Sequence, residues 1–145
     1  MKALVIYDSN YGNTEKIAKV IAKELGNGAC AKRVSDNGGI EAEKPDLVVV
    51  GSPILGWRPS HKIEKFLNNL KDDSLLGVKV AAFDTRVKAW YSGDAAKKIG
   101  KCLERAGGEM VIEPEFFIVK GKEGPLADGE EERAKNWTEA IKLKL

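Results

Sequence analysis

Short apolar runs alternate along this chain with stretches whose apolar residues recur every three or four positions. The first run, Ala3-Leu4-Val5-Ile6-Tyr7, is bounded by turn residues and predicts a fully buried strand over 2–8. Ile17, Ile21 and Leu25 then recur at helical spacing while Lys16, Lys19 and Lys23 face away, which predicts a helix over 13–25 ended by Gly26-Asn27-Gly28. A weaker strand is expected over 29–34. Residues 35–45 hold a loop or one helical turn, since Asn37-Gly38-Gly39 opposes a longer helix. The clearest strand is 46–51. It is followed by a loop with two prolines and by a helix capped near Ser60 that carries Ile63, Phe66, Leu67 and Leu70. A strand over 78–83, an exit loop over 84–93, and a helix with Ala95, Ala96, Ile99, Cys102 and Leu103 come next. A last strand over 110–119, interrupted by Pro114, precedes a closing helix with Ala134, Trp137, Ala140 and Ile141.

Five strands separated by crossover-length connections predict an α/β fold: one domain over 1–145, built on a doubly wound five-stranded parallel sheet with helices on both faces. Ligands of such sheets bind beyond the carboxyl ends of the strands, where the order reverses. The loops after strands 1, 3 and 4 converge there.

Composition narrows the chemistry. With 145 residues, 43% hydrophobic and 32% charged, the chain has the make-up of an ordinary globular protein, and a net charge of +2 is too small to indicate nucleic acid. No apolar run nears the about 18 residues that span a bilayer, and no signal-peptide pattern opens the chain, so no membrane segment and a cytoplasmic location are expected. Cys30 and Cys102 read as core thiols. A single histidine, His61, and the lack of a paired-cysteine motif leave no zinc or iron–sulfur signature.

The loop Ser9-Asn10-Tyr11-Gly12-Asn13-Thr14 joins the first strand to the first helix. Free amides at a helix start favour an anion, and Ser9, Asn13 and Thr14 add side-chain donors. The same residue types also serve as ordinary N-caps that bind nothing. The loop has neither a Gly-Lys-Ser/Thr run nor a G-x-G-x-x-G run, and a lysine-free loop of hydroxyls and amides suits a phosphate monoester. Residues 7–18 as a string resemble the FMN-phosphate loop of flavodoxins and flavodoxin-like quinone reductases, the latter commonly carrying tyrosine where Tyr11 stands.

That resemblance covers nearly the whole chain and implies a flavodoxin-like doubly wound five-stranded sheet of order 2-1-3-4-5 with FMN as cofactor. Ser52-Pro53-Ile54-Leu55-Gly56-Trp57 resembles the family's isoalloxazine loop, which implies that the Gly56 peptide meets flavin N5 and that Trp57 either walls the ring or covers the following helix. Trp90 and Tyr91 fall where the family places an aromatic over the outer flavin face. Asp84-Thr85-Arg86, bulkier and more charged than the family's small residues, opens that third loop. The resemblance implies a monomeric one-electron carrier serving a reductase and an acceptor. An FMN-dependent NAD(P)H or quinone oxidoreductase and a flavin-free interaction domain are the alternatives. Arg58, Arg86 and Lys88 beside the ring would make the reduced flavin easier to form, and would suit a partner with an acidic docking surface.

Overall fold

Alternation along the apolar runs sorts side chains to the two faces of a parallel sheet. The computed structural model describes residues 1–34, 40–88 and 94–145. Its elements are β1 (Ala3–Tyr7), α1 (Asn13–Leu25), β2 (Ala29–Arg33), α2 (Ile40–Glu43), β3 (Leu47–Pro53), α3 (His61–Asn68), β4 (Lys79–Val87), α4 (Ala95–Arg105), β5 (Glu109–Met110), β6 (Glu115–Val119) and α5 (Glu130–Lys142). Among the described residues the named strands all pair in parallel. The order is β2-β1-β3-β4, with β5 and β6 sharing the outer edge beside β4.

Odd-numbered strand residues Ala3, Val5, Leu47, Val49, Ala81 and Phe83 pack with α1 and α5. Even-numbered Leu4, Ile6, Val48, Val50, Val80 and Ala82 pack with α3 and α4. Ser60 caps α3 by accepting from the Ile63 amide at 3.3 Å. Phe83, Phe117 and Trp137 meet edge to face at centroid distances of 5.9–6.2 Å. Gly51 sits beneath the Phe83 ring, where a Cβ would collide with it.

Three expectations are corrected. The last strand is two strands: β5 pairs with β4 at an offset of 30 residues and β6 at 32, so residues 111–114 lie opposite only Ala81 and Ala82. Pro114, which has no amide proton to give the ladder, lies in this break. The extra length is even, so the faces are kept and Phe117 still joins the α1/α5 side. Second, residues 84–87 are not loop but the continuation of β4, where Asp84 pairs with Ser52 on one side and Phe116 on the other. Third, Cys30 is exposed on the edge strand β2 and is no core thiol, whereas Cys102 is half-buried and packs against the core. The expected turn at 37–39 lies outside the described residues.

Candidate functional site

The first loop is shaped by its own polar groups. The Ser9 hydroxyl accepts from the Gly12 amide at 3.0 Å, and Asp8 accepts from the Ser9 amide at 2.9 Å. Gly12, at φ 90°, is the N-cap of α1 and supplies no side-chain cap. Ser9, Asn13 and Thr14 therefore do not act as ordinary caps. The first-turn amides of α1 have no intrahelical acceptor and remain available to an anion. Arg33 holds the loop from outside, donating to the Ser9 carbonyl at 2.9 Å and standing 3.6 Å from Asp8.

Thr14 and Thr85 lie nearly fully buried with their hydroxyl oxygens 2.8 Å apart. Two hydroxyls carry two protons, and the bond between them uses one. The other faces no acceptor among the described residues. Asn13, also buried, donates to the Glu123 carbonyl at 3.2 Å, tying the start of α1 to the loop between β6 and α5.

The second loop closes into a two-residue hairpin. Leu55 and Arg58 exchange backbone bonds of 2.8 and 3.2 Å, and Gly56 and Trp57 both have positive φ, 58° and 70°. Such a turn welcomes glycine, but a tryptophan in the left-handed region is strained. Trp57 is nonetheless 59% exposed, so burial does not hold it there; Lys98 donates to its carbonyl at 3.2 Å. Ser52 is fully buried, donating to the Pro53 carbonyl and accepting from the Ser60 amide, and so fixes the loop to α3.

On β4, Asp84 and Arg86 point to the α4 face together. Arg86 clasps Asp84 through two bonds of 2.8 and 2.6 Å, and the Ala96 amide donates to the same carboxylate at 2.8 Å. Burial pushes the Asp84 carboxyl up from its ordinary value against the opposing pull of Arg86. Asp94 lies 3.5 Å from Arg86, and the guanidinium stacks 4.3 Å from the Phe116 ring. The expected free cation at Arg86 is thus a neutralised one.

These loops enclose a cavity of about 310 Å³ beyond the carboxyl ends of β1, β3, β4 and β6. Ser9, Asn10, Tyr11, Asn13, Thr14, Pro53, Ile54, Leu55, Thr85 and Arg86 line it, and the sequence had pointed to each. Gly12, Ser52, Gly56, Trp57 and Asp84 belong to the same loops and strand but do not line it; Trp90 and Tyr91 lie outside the described residues. Val87, Val119 and Lys122 also line it and were not anticipated. Only the first of these had a local signal, since it continues the exit from β4. The other two come from a distant segment that no motif marks.

A doubly wound parallel sheet with a cavity at its switch point places the chain among the doubly wound α/β proteins. The flavodoxin family model matches residues 5–137, so this chain belongs to the flavodoxin family. It is 26% identical to oxidised flavodoxin 2 from Bacillus cereus, with a TM-score of 0.84 over the whole of both chains. With two-electron reduced Megasphaera elsdenii flavodoxin it shares 25% identity and a TM-score of 0.72 over 96% of this chain and 97% of that one. Rubredoxin oxygen:oxidoreductase from Desulfovibrio gigas, at 23% identity and a TM-score of 0.78, shares the fold over 36% of its length. Membership implies an electron-transfer flavoprotein with a flavin cofactor, normally FMN. The site fits such a group: unused amides and a spare hydroxyl proton at one end, the apolar Pro53, Ile54 and Leu55 further along, and a volume within the about 300–1,000 Å³ of cofactor pockets.

Proposed function

We propose that this protein binds FMN non-covalently and passes single electrons between two redox partners. Ser9 through Thr14 would hold the phosphate, with Thr85 adding its hydroxyl. The segment Pro53–Trp57 would hold the ring, the Gly56 peptide lying toward N5. Bound FMN would supply all of the electron chemistry, and the chain's part is to bind, orient and shield it.

One observation carries the choice of a carrier over a catalyst. The chain matches a flavodoxin from Bacillus cereus over the whole of both chains, whereas the oxidoreductase from Desulfovibrio gigas shares the fold over only 36% of its length, which supports a carrier. The test is extraction of the cofactor from purified protein, then anaerobic photoreduction followed by absorbance. The reading expects FMN and a long-wavelength band of the one-electron-reduced form. Colourless protein that takes up no FMN would overturn it, as would rapid bleaching by NADPH without a reductase.

A further inference from the structure

Within the reading of the cavity as an FMN site, we propose that Lys122 is a specificity-determining residue that supplies the one uncompensated side-chain charge for the phosphate. Two cations line the cavity among the described residues. Arg86 is neutralised by Asp84 and Asp94, whereas Lys122 has no ion-pair partner among the described residues.

Its position is built rather than incidental. Gly124 donates to the Gly121 carbonyl at 2.9 Å and Lys120 to the Pro125 carbonyl at 2.8 Å, so Lys122 occupies the first central position of a closed turn. That turn is drawn onto the start of α1 by the bond from Asn13 to the Glu123 carbonyl. The approach is close enough that a Cβ on Gly124 would stand 2.6 Å from the Asn13 side-chain oxygen. Lys122 and the first residues of α1, Asn13 and Thr14, therefore line one cavity, and Thr85, the hydroxyl partner of Thr14, lines it too. Two sources of positive potential and a buried hydroxyl donor suit a phosphate dianion and offer nothing to an uncharged ribityl end. Lys122 lies 37 residues beyond Thr85 in the chain, on an exposed turn, so its removal leaves the core untouched.

The experiment titrates apoprotein with FMN and with riboflavin, using flavin fluorescence, at about 0.01 and about 0.3 M ionic strength. Lys122→Ala is expected to weaken FMN roughly five- to tenfold at low salt, to leave riboflavin within about twofold, and to show a smaller FMN deficit at high salt. Lys122→Arg restores FMN affinity and Lys122→Glu lowers it further. FMN affinity of Lys122→Ala within twofold of wild type overturns the proposal, and so does equal weakening of both flavins. Wild type that binds FMN no tighter than riboflavin overturns the phosphate-site reading itself, a result distinct from failure of the lysine's role.

Discussion

Arg86 and Trp57 are the residues at which the structure most changes the meaning of the side chain. Arg86 is the partner that makes a buried Asp84 tolerable, so Arg86→Ala should cost about 3 kcal/mol by leaving that carboxylate unpaired. Burial already holds the Asp84 carboxyl above its ordinary 3.8, and losing the guanidinium raises it further. A raised carboxyl favours the folded state when protonated, so the variant's deficit should be largest at neutral pH and shrink as pH falls toward 3.8. Urea unfolding at several pH values reads this directly, and a deficit independent of pH would show that Asp84 does not drive it. Trp57 carries left-handed strain of about 1–2 kcal/mol with little burial to justify it. Trp57→Gly should leave apoprotein stability within about 1 kcal/mol of wild type while weakening FMN. A stability loss above about 3 kcal/mol would instead make the indole part of the fold.

At the scale of elements, β3 and β4 are matched through Gly51. The Phe83 ring occupies the space of a side chain there, so Gly51→Ala must displace the ring from Phe117 and Trp137 at a cost of about 1–3 kcal/mol. Chemical unfolding measures the loss, and Phe83→Leu in the same background should recover part of it. The short α2 is held by Glu43, which pairs with Lys2 of the N-terminal segment at 2.6 Å and Lys32 of β2 at 2.9 Å. Those two ammonium groups lower its carboxyl from 4.5 to about 2. A lowered carboxyl stabilises the fold above its unfolded value, and the contribution disappears as pH falls from 4.5 toward 2. Thermal midpoints of wild type and Glu43→Gln should therefore converge across that window; parallel curves would mean that the pairs contribute nothing.

The whole chain carries a net charge of +2, and Lys122 on the cavity lining and Lys98, which donates to the Trp57 carbonyl of the second loop, form an exposed basic rim. Such a rim would steer an acidic partner, and steering weakens with salt. Reduced protein should lose its reaction rate with ferricyanide, an anion, as ionic strength rises, and gain rate with a cobalt(III) phenanthroline cation. The reverse dependence would assign the rim to an unrelated face. Arg86, neutralised in place, should take no part in either.

Periodicity along the chain was enough to place α1 over 13–25 and the Ser60 cap, because spacing, capping and alternation are local properties carried by adjacent residues; the strand order came from the resemblance to a family. It also marked the first and second loops, whose glycines, prolines and short polar residues act through backbone geometry within a few positions. Residues 84–87 read as loop because charge in a strand is legible only when its partner is known, and the partner here lies two positions on, on the same face of the sheet. The contacts between Thr14 and Thr85, 71 residues apart, and between Asn13 and Glu123, 110 apart, exist only once the sheet brings its strand ends together. The sequence by itself determined most of the strands and helices and marked the loops that line the cavity. Only the tertiary structure decided that Arg86 is neutralised and that Lys122 has no ion-pair partner among the described residues, because the compensation of a charge depends on what folding places beside it.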